Sequence, residues 1–356
     1  MSVPTKSRQW VLANHPTGLP TYGKAGDTFE LKEVELPSLK DGEVLVQTLY
    51  LSNDPAQRGW ISPPSQIDPK RLYVPPVKEG EPMRARGLAK VVSSKADGFK
   101  EGDVIQATVG WVEYAVVNTK DPMQGARKVD DLPGGLSLTH YLGALGGTGL
   151  TAYFGLVEVV GAQKGERVVV SGAAGATGSM VVQIAKHIVG ASYVVGIAGS
   201  DEKCRWVESL GADKCLNYKS KNFEQELKEA CGDGVDVYFD NVGGEILDFM
   251  LANMKQNGRI AACGAITGYN GEAPLPMKNY FNVVSMRLQI RGFIVIDYLH
   301  KASEAIGKLV GALQQGKIKI GDENETVVDT KFEDVPKTWL RLFEGSNQGK
   351  LVTKYV

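Results

Sequence analysis

The sequence predicts an α/β protein of two domains, a doubly wound parallel sheet joined to a β-rich domain. Three observations carry this expectation. Residues 167–190 run as a short β-branched strand, a glycine turn and an amphipathic helix without a spare residue; helix and strand alternate from about residue 130 onward; and residues 8–118 hold no long helical period. At 356 residues the chain exceeds the size at which single cores usually stop growing, so two domains are expected.

In the first part, strands are read at 28–35, 43–52, 87–93 and 111–118, separated by clusters of Pro, Gly, Asp and Lys. Between them SNDPAQRGWISPPSQIDPKRLYVPP is an irregular stretch long enough to carry function, and Trp60 and Tyr73 argue against disorder. The alternating part reads as helix 151–160, strand 167–171, helix 178–189, strand 193–198, helix 201–210 and strand 214–217. It continues as helix 222–231, strand 235–240, helix 244–254, strands 258–263 and 288–295, and helix 299–315. A β-rich tail of the same texture as the first domain follows and is expected to return to it. The domains are therefore placed at 1–129 with 316–356, and at 130–315.

The turn in the 167–190 unit holds Ala173, Gly175 and Gly178 at the spacing of a dinucleotide fingerprint, with alanine at its first position. Small residues there permit a tight turn, let backbone N–H groups approach a pyrophosphate and bring the helix close to the sheet. A strand before and a helix after make the cofactor reading stronger than a lone glycine turn would. An NAD-binding fold usually places an acid at the tip of the second strand, about 20 residues on, to hold the ribose hydroxyls. Here the strand ends in GIAGS, with Ser200 at its tip, so NADP is preferred. Lys203 and Tyr218 are plausible donors to the 2′-phosphate. Asp201 and Glu202 beside Lys203 weaken that electrostatic case, and a solvated surface lysine is the alternative.

Lys and Arg number 40 against 41 Asp and Glu, a formal charge of -1, which provides no field to gather nucleic acid or an anionic membrane. No apolar run reaches the roughly 18 residues of a membrane span, and a cytoplasmic protein is expected. Cys204, Cys215, Cys231 and Cys263 lie far apart with no Cys-x-x-Cys pair, and His15, His140, His187 and His300 are scattered, so no metal site is expected.

Eleven segments, taken in order, resemble one family. They are LSNDPAQR near 51, YVPPVKEGEPM near 73, GDVIQATVGWVEYAVV near 102, GGTGLTAY near 146, VSGAAGATGS at 170 and GIAGSDEK at 196. LGADKCLNYK at 210, YFDNVGGE at 238, NGRIAACGAITGYN at 257, LQIRGFIV at 288 and EGSNQGKLV at 344 complete them. The chain is similar over nearly its whole length to the zinc-free medium-chain dehydrogenase/reductases, in the leukotriene B4 12-hydroxydehydrogenase/prostaglandin reductase branch of NADPH-dependent alkenal and enone reductases. The resemblance implies a Rossmann domain beside a GroES-like catalytic domain. It implies that Gly175 and Gly178 face the pyrophosphate while Lys203, Tyr218 and Ser200 hold the 2′-phosphate. Asn241, Cys263, Gly264, Phe293 and Val295 would wall the adenosine and nicotinamide ribose, and Asn347 would close over the cofactor. Read without it, Asn241 is a turn former, Cys263 a core filler, and Phe293 and Val295 strand residues. The implied substrate pocket holds Asn53, Tyr73 and Tyr269, and a homodimer joined through a strand like Leu288–Val295 is a further implication.

The chemistry implied is conjugate reduction: hydride reaches the β-carbon of an α,β-unsaturated ketone or aldehyde, and the resulting enolate is protonated at the α-carbon. Tyr269, matching the family's GxISxYN segment, is the candidate donor to the developing oxyanion. Two departures stand near the expected substrate mouth. Asp54-Pro55-Ala56-Gln57-Arg58 replaces DPYMR, and Thr148 replaces the proline of PGLTAY, so a wider or more polar pocket is expected. A quinone reductase of the same superfamily and a non-catalytic NADPH-binding protein remain as alternatives; a zinc alcohol dehydrogenase is rejected for want of ligands.

Overall fold

The computed structural model describes residues 3–271 and 276–356. They form two compact units, one running through Leu142 and resuming at Thr326–Val356, the other Gly143–Glu325.

The second unit is built on six parallel strands in the order Lys214–Asn217, Tyr193–Ala198, Arg167–Ser171, Val235–Asp240, Met254–Ala262, Gln289–Gly292. Counted along the chain this is the 3-2-1-4-5-6 order of a doubly wound nucleotide-binding sheet. Val168, Val169 and Val170 are all buried, as expected where helices cover both faces of a parallel sheet and every strand residue must be apolar. Val195, Ile197, Tyr238 and Ile260 share one core with Phe223, Leu227, Met250 and Leu251 from the helices Phe223–Cys231 and Gly244–Asn253. Two helices end in wider i→i+5 turns: Gly147–Tyr153 passes into Phe154–Val159, and Ala176–Gln183 into Ile184–Val189. The first carries Gly155, where a Cβ would lie 2.4 Å from the Phe293 ring and 2.6 Å from that of Phe239, so two aromatic rings pack directly on helix backbone.

The first unit is antiparallel at its centre. Glu43–Ser52 pairs with Arg86–Ser94, Tyr114–Asn118 and Lys350–Tyr355 in a seven-stranded sheet, and Lys6–Leu12 pairs with Phe29–Glu35 beside it. Trp111, Trp339 and Phe29 are its largest fully buried aromatics, with Trp111 and Trp339 ring centroids 5.5 Å apart. The Trp10 indole donates to the Phe332 carbonyl at 2.8 Å, fastening the tail to the first strand of the chain.

Two expectations are corrected here. The tail is not simply β-rich, because Val335–Glu344 is an α-helix between the strands Glu325–Thr330 and Lys350–Tyr355. Its signals are Pro336 in the first turn, Gly345 closing it at φ 64°, and apolar residues at 335, 339, 340, 342 and 343 that face the core. The unit boundaries also move, from 129/130 and 315/316 to 142/143 and 325/326. Leu138, Tyr141 and Leu142 pack on Leu88 and Val352 of the antiparallel sheet. Lys319 is held in the second unit by Gln183, whose amide accepts the Lys319 N–H at 2.6 Å and donates to its carbonyl at 3.1 Å. We expect Trp339→Ala to cost about 3–5 kcal/mol of stability, read as a lowered urea midpoint by circular dichroism. An unchanged midpoint would show that the tail helix does not hold the first unit together.

Candidate active site

The strands Arg167–Ser171 and Val235–Asp240 are neighbours at the point where the strand order reverses, the place where open α/β sheets bind ligands beyond their carboxyl ends. After Ser171 the chain turns at Gly172, with φ 58°, and Gly175 opens the helix Ala176–Gln183 with no side chain capping it. A Cβ on Gly178 would stand 2.2 Å from the Gly172 carbonyl oxygen and 2.8 Å from the Ala173 Cα. The absence of a side chain at 178 is therefore what lets the helix lie against the turn. Ala173 is fully buried beneath it, and a Cβ on Gly196 of the next strand would meet the Ala173 methyl at 3.1 Å. The uncapped N–H groups at the start of a helix continuing to Val189 fit the pyrophosphate of a dinucleotide.

The tip of the second strand makes a basic corner. Ser200 caps the helix Asp201–Ser209, its Oγ accepting the Lys203 N–H at 3.3 Å, which leaves the hydroxyl proton to be donated elsewhere. The Tyr218 ring lies on Gly199, where a Cβ would be 3.1 Å from it, and the Lys219 ammonium stands 5.8 Å from the ring centroid. Asp201 is engaged by the Asn217 amide at 2.8 Å. Burial first, and the charge of Lys219 second, hold the Lys203 ammonium below the usual lysine range. A cation destabilised in this way gains most when a dianion arrives, which fits a 2′-phosphate.

At the end of the fourth strand Asn241 donates from Nδ2 to the Ser171 carbonyl at 2.7 Å and from its N–H to Ser171 Oγ at 3.0 Å, tying the two switch-point strands together. The Asp240 carbonyl accepts the N–H groups of Cys263 at 2.9 Å and Gly264 at 3.1 Å. This brings the loop after Met254–Ala262 against the same corner. A Cβ on Gly264 would lie 3.2 Å from both the Asn241 carbonyl oxygen and the Tyr269 hydroxyl, so glycine keeps the front of that hydroxyl open. Tyr269 follows a short 3-10 turn, Ile266–Gly268, and its hydroxyl accepts the Ala265 N–H at 3.3 Å, leaving its own proton to donate. Burial raises the Tyr269 phenol above its ordinary value, opposed by that hydrogen bond. Burial, with the charge of Asp240 adding, pushes the Cys263 thiol up to about 12, so it stays neutral and unreactive.

Phe293 and Val295 lie beyond the last strand, which ends at Gly292, rather than within it; the Phe293 ring packs edge-on against Phe239 at 6.2 Å, and Val295 opens a 3-10 turn. The structure thus brings Ala173, Gly175, Gly178, Asn241, Cys263, Gly264 and Tyr269 to one edge of the sheet, and Ser200, Lys203 and Tyr218 to the neighbouring corner. Asn53, Tyr73 and Asn347 belong to the first unit. There Asn53 Nδ2 donates to Thr353 Oγ1 at 2.9 Å, the Tyr73 hydroxyl accepts the Trp60 indole N–H at 3.0 Å, and Asn347 Nδ2 donates to the Gly349 carbonyl at 3.1 Å. Gln57 corrects one expectation. It is fully buried, its amide oxygen accepting the Asp54 N–H at 2.7 Å and its amide nitrogen donating to the Arg84 carbonyl at 2.8 Å, so its polarity is spent on backbone and adds none to a pocket. Thr148 stands in the first turn of the helix Gly147–Tyr153, a place that suits proline as well. Sequence reasoning missed Gly172, Gly199 and Asp240; an acid closing the run VYF at the end of its strand was the available signal for the last.

Comparison with known proteins follows the same division. Residues 8–124 match a family described as the N-terminal domain of oxidoreductase, and residues 176–311 one described as zinc-binding dehydrogenase. Despite that description, no three His, Cys, Asp or Glu among the described residues are grouped to hold a metal ion, so the donor set does not fit zinc. Prostaglandin reductase 1 of Bos taurus is 40% identical over 98% of this chain and 99% of its own. The NADP(+)-dependent 2-alkenal reductase of Nicotiana tabacum is 37% identical over 99% of this chain and 98% of its own. A Saccharomyces cerevisiae relative, 40% identical over 98% of each chain, is named an uncharacterized membrane protein; no helix among the described residues here is long and apolar enough to cross a membrane. The crystal structure of CurA from Vibrio vulnificus in complex with NADPH superposes with a TM-score of 0.85 at 33% identity, covering 98% of this chain and 99% of that one. Solved quinone oxidoreductases match at 19% and 24% identity, which shows the fold alone.

The basic corner yields a test. Lys203→Ala should raise the KM for NADPH by about tenfold to a hundredfold, the worth of a charge-assisted hydrogen bond, and leave the KM for NADH unchanged. The sign of its pH dependence is fixed: the ammonium is lost as pH rises through a value below 10.5. The kcat/KM for NADPH should therefore begin to fall before the ordinary lysine range while that for NADH does not. Equal losses with both cofactors would remove Lys203 from the phosphate site.

Proposed function

The chain belongs to the medium-chain dehydrogenase/reductases, in the branch of the prostaglandin and 2-alkenal reductases, and from that membership we propose how its own residues carry out the reduction. The protein is an NADP-dependent oxidoreductase acting on the carbon–carbon double bond of α,β-unsaturated aldehydes and ketones. Bound NADPH supplies the hydride. The turn at Gly172–Gly178 takes the pyrophosphate, and Ser200, Lys203 and Tyr218 take the 2′-phosphate. Asn241, Cys263, Gly264, Phe293 and Val295 wall the rest of the cofactor.

The observation that carries the assignment of Tyr269 is its hydroxyl, accepting the Ala265 N–H at the carboxyl edge of the sheet and kept open in front by Gly264. As the β-carbon gains hydride, charge moves to the substrate carbonyl oxygen, and a neutral phenol with an unspent proton is a donor for that oxygen. The hydrogen bond it accepts polarises the hydroxyl and strengthens the bond it gives. Asn53, Tyr73 and Asn347 from the first unit are assigned to substrate and cofactor contacts. Tyr269→Phe should lower kcat for a trans-2-alkenal or a benzylidene ketone about a hundredfold, followed as NADPH oxidation. Quinone turnover indifferent to the change would move the assignment to quinone reduction. Because burial raises the phenol, its donor form is complete through neutral pH and is lost only above 10. The alkaline limb of wild-type kcat, measured with saturating NADPH, should have its midpoint above that value and be absent from Tyr269→Phe.

The same reading extends to assembly and location. Gln289–Gly292 is the edge strand of the parallel sheet and is exposed, and Tyr280, Phe281, Val284 and Ile290 around it expose large apolar side chains. Two copies joining these edges would bury them, so a homodimer is the assembly we assign, and Ile290→Lys should shift the mass by light scattering from two chains toward one. The four free cysteines, three of them buried, suit the reducing cytoplasm.

A further inference from the structure

Asp240 closes the fourth strand at the switch point and is buried, with 2% of its surface exposed. One of its carboxylate oxygens, Oδ1, accepts four hydrogen bonds: from Tyr238 OH at 2.8 Å, Gly243 N–H at 2.9 Å, and Ser171 Oγ and Val242 N–H at 3.1 Å each. Burying a carboxylate is costly unless it is fully hydrogen-bonded, and an apolar residue would have continued the strand VDVYF without that cost. A charge kept here needs a reason beyond the core.

The reason is visible in what the bonds hold. The N–H groups of Val242 and Gly243 can point at one oxygen only when residues 241–244 form their tight turn, with Gly243 at φ 69° and Gly244 at φ 57°. The carbonyl on the outer side of that turn, Val242, accepts Thr267 Oγ1 at 2.8 Å and the Thr267 N–H at 3.4 Å. Thr267 is the middle residue of the 3-10 turn Ile266–Gly268, which delivers Tyr269 to the Ala265 N–H. Close packing adds to the hydrogen bonds: a Cβ on Gly243 would be 3.1 Å from the Ala265 methyl, and one on Gly244 would be 3.0 Å from Thr267 Oγ1. The Tyr269 loop therefore rests on a turn whose shape is set by the Asp240 carboxylate. By contrast the Asn241 amide is held by the Ser171 carbonyl, independently of that carboxylate.

We propose that Asp240 is a positioning residue for the reduction, its buried carboxylate fixing the 241–244 turn and, through Val242 and Thr267, the place of the Tyr269 hydroxyl. The inference rests on the reading of Tyr269 as the oxyanion donor. Leucine at 240 keeps the size but has no oxygen to accept the four hydrogen bonds, so the N–H groups of Val242 and Gly243 lose their common acceptor and the turn must shift. Misplacing a catalytic group by about 1 Å costs on the order of a hundredfold.

The experiment is a double-mutant cycle on the enone reaction. Asp240→Leu should lower kcat about tenfold to a hundredfold, with NADPH affinity, read by fluorescence titration, changed by less than about threefold because the Asn241 amide stays on the Ser171 carbonyl and the glycine turn is untouched. In the Tyr269→Phe background the same change should cost no more than about twofold further, since the two residues act through one hydroxyl. Thr267→Val, at an exposed position, removes the shorter of the two bonds in the link while leaving Asp240 in place; it should lower kcat in the same non-additive way by a smaller factor, and it carries the test if Asp240→Leu fails to fold. Losses that multiply in the double variant, or a fall in NADPH affinity with kcat unchanged, would overturn the inference and leave Tyr269 untouched. Wild-type kcat in Tyr269→Phe alone would instead remove the reading on which it rests.

Discussion

Ser171 and Asp240 meet across the switch point at 3.1 Å, and the second unit's chemistry is hung on that contact. The Ser171 hydroxyl donates to the Asp240 carboxylate and accepts the Asn241 N–H, while its carbonyl accepts the Asn241 amide. Two strands whose connections leave in opposite directions are thereby locked at their ends. One continues into the glycine turn and its helix, the other into the turn that bears on the Tyr269 loop. Each bond is buried or half-buried, where a hydrogen bond is electrostatically stronger and a missing partner more costly than in water. The crevice thus owes its shape to a polar network at the end of an apolar sheet.

Much of this was legible because parallel sheets write themselves plainly. Arg167–Ser171, Tyr193–Ala198, Lys214–Asn217 and Val235–Asp240 have the bounds read from the sequence, as apolar runs punctuated by glycine and charge. The AxGxxG spacing of Ala173, Gly175 and Gly178 and the missing acid at Ser200 also carry local chemistry that needs no tertiary context. The branch of the family was legible for another reason, since eleven ordered segments outweigh any single motif.

What was not legible depends on contacts distant in sequence. The helix Val335–Glu344 hides between two strands because its apolar face is decided by Phe29 and Trp111, each more than 200 residues away in the chain. Gln57 looked like pocket polarity because a sequence does not say that both ends of an amide are taken by backbone at Asp54 and Arg84. Gly199 read as the end of a strand, though its function is to give the Tyr218 ring a flat place to lie. Asp240 was passed over for the same reason: four donors converging on one oxygen come from residues 171, 238, 242 and 243, and only folding brings the first to the rest.

The distribution of charge along this edge has its own logic. A 2′-phosphate is charged before it binds, and the corner proposed for it offers an ammonium group, Lys203, with Lys219 beside it, suited to ground-state charge. The substrate oxygen is neutral when it arrives and charged only as hydride is delivered. A fixed cation there would also hold carboxylates and other anions, which would compete with the substrate without favouring the transition state. A neutral hydroxyl discriminates better, gaining most as the oxygen acquires charge. Burial that keeps Tyr269 protonated, together with a Cys263 thiol pushed up to about 12, leaves neutral groups at the corner proposed for the reaction. The one charge behind them, Asp240, is turned inward onto four donors, where it shapes the loops without presenting itself to the substrate.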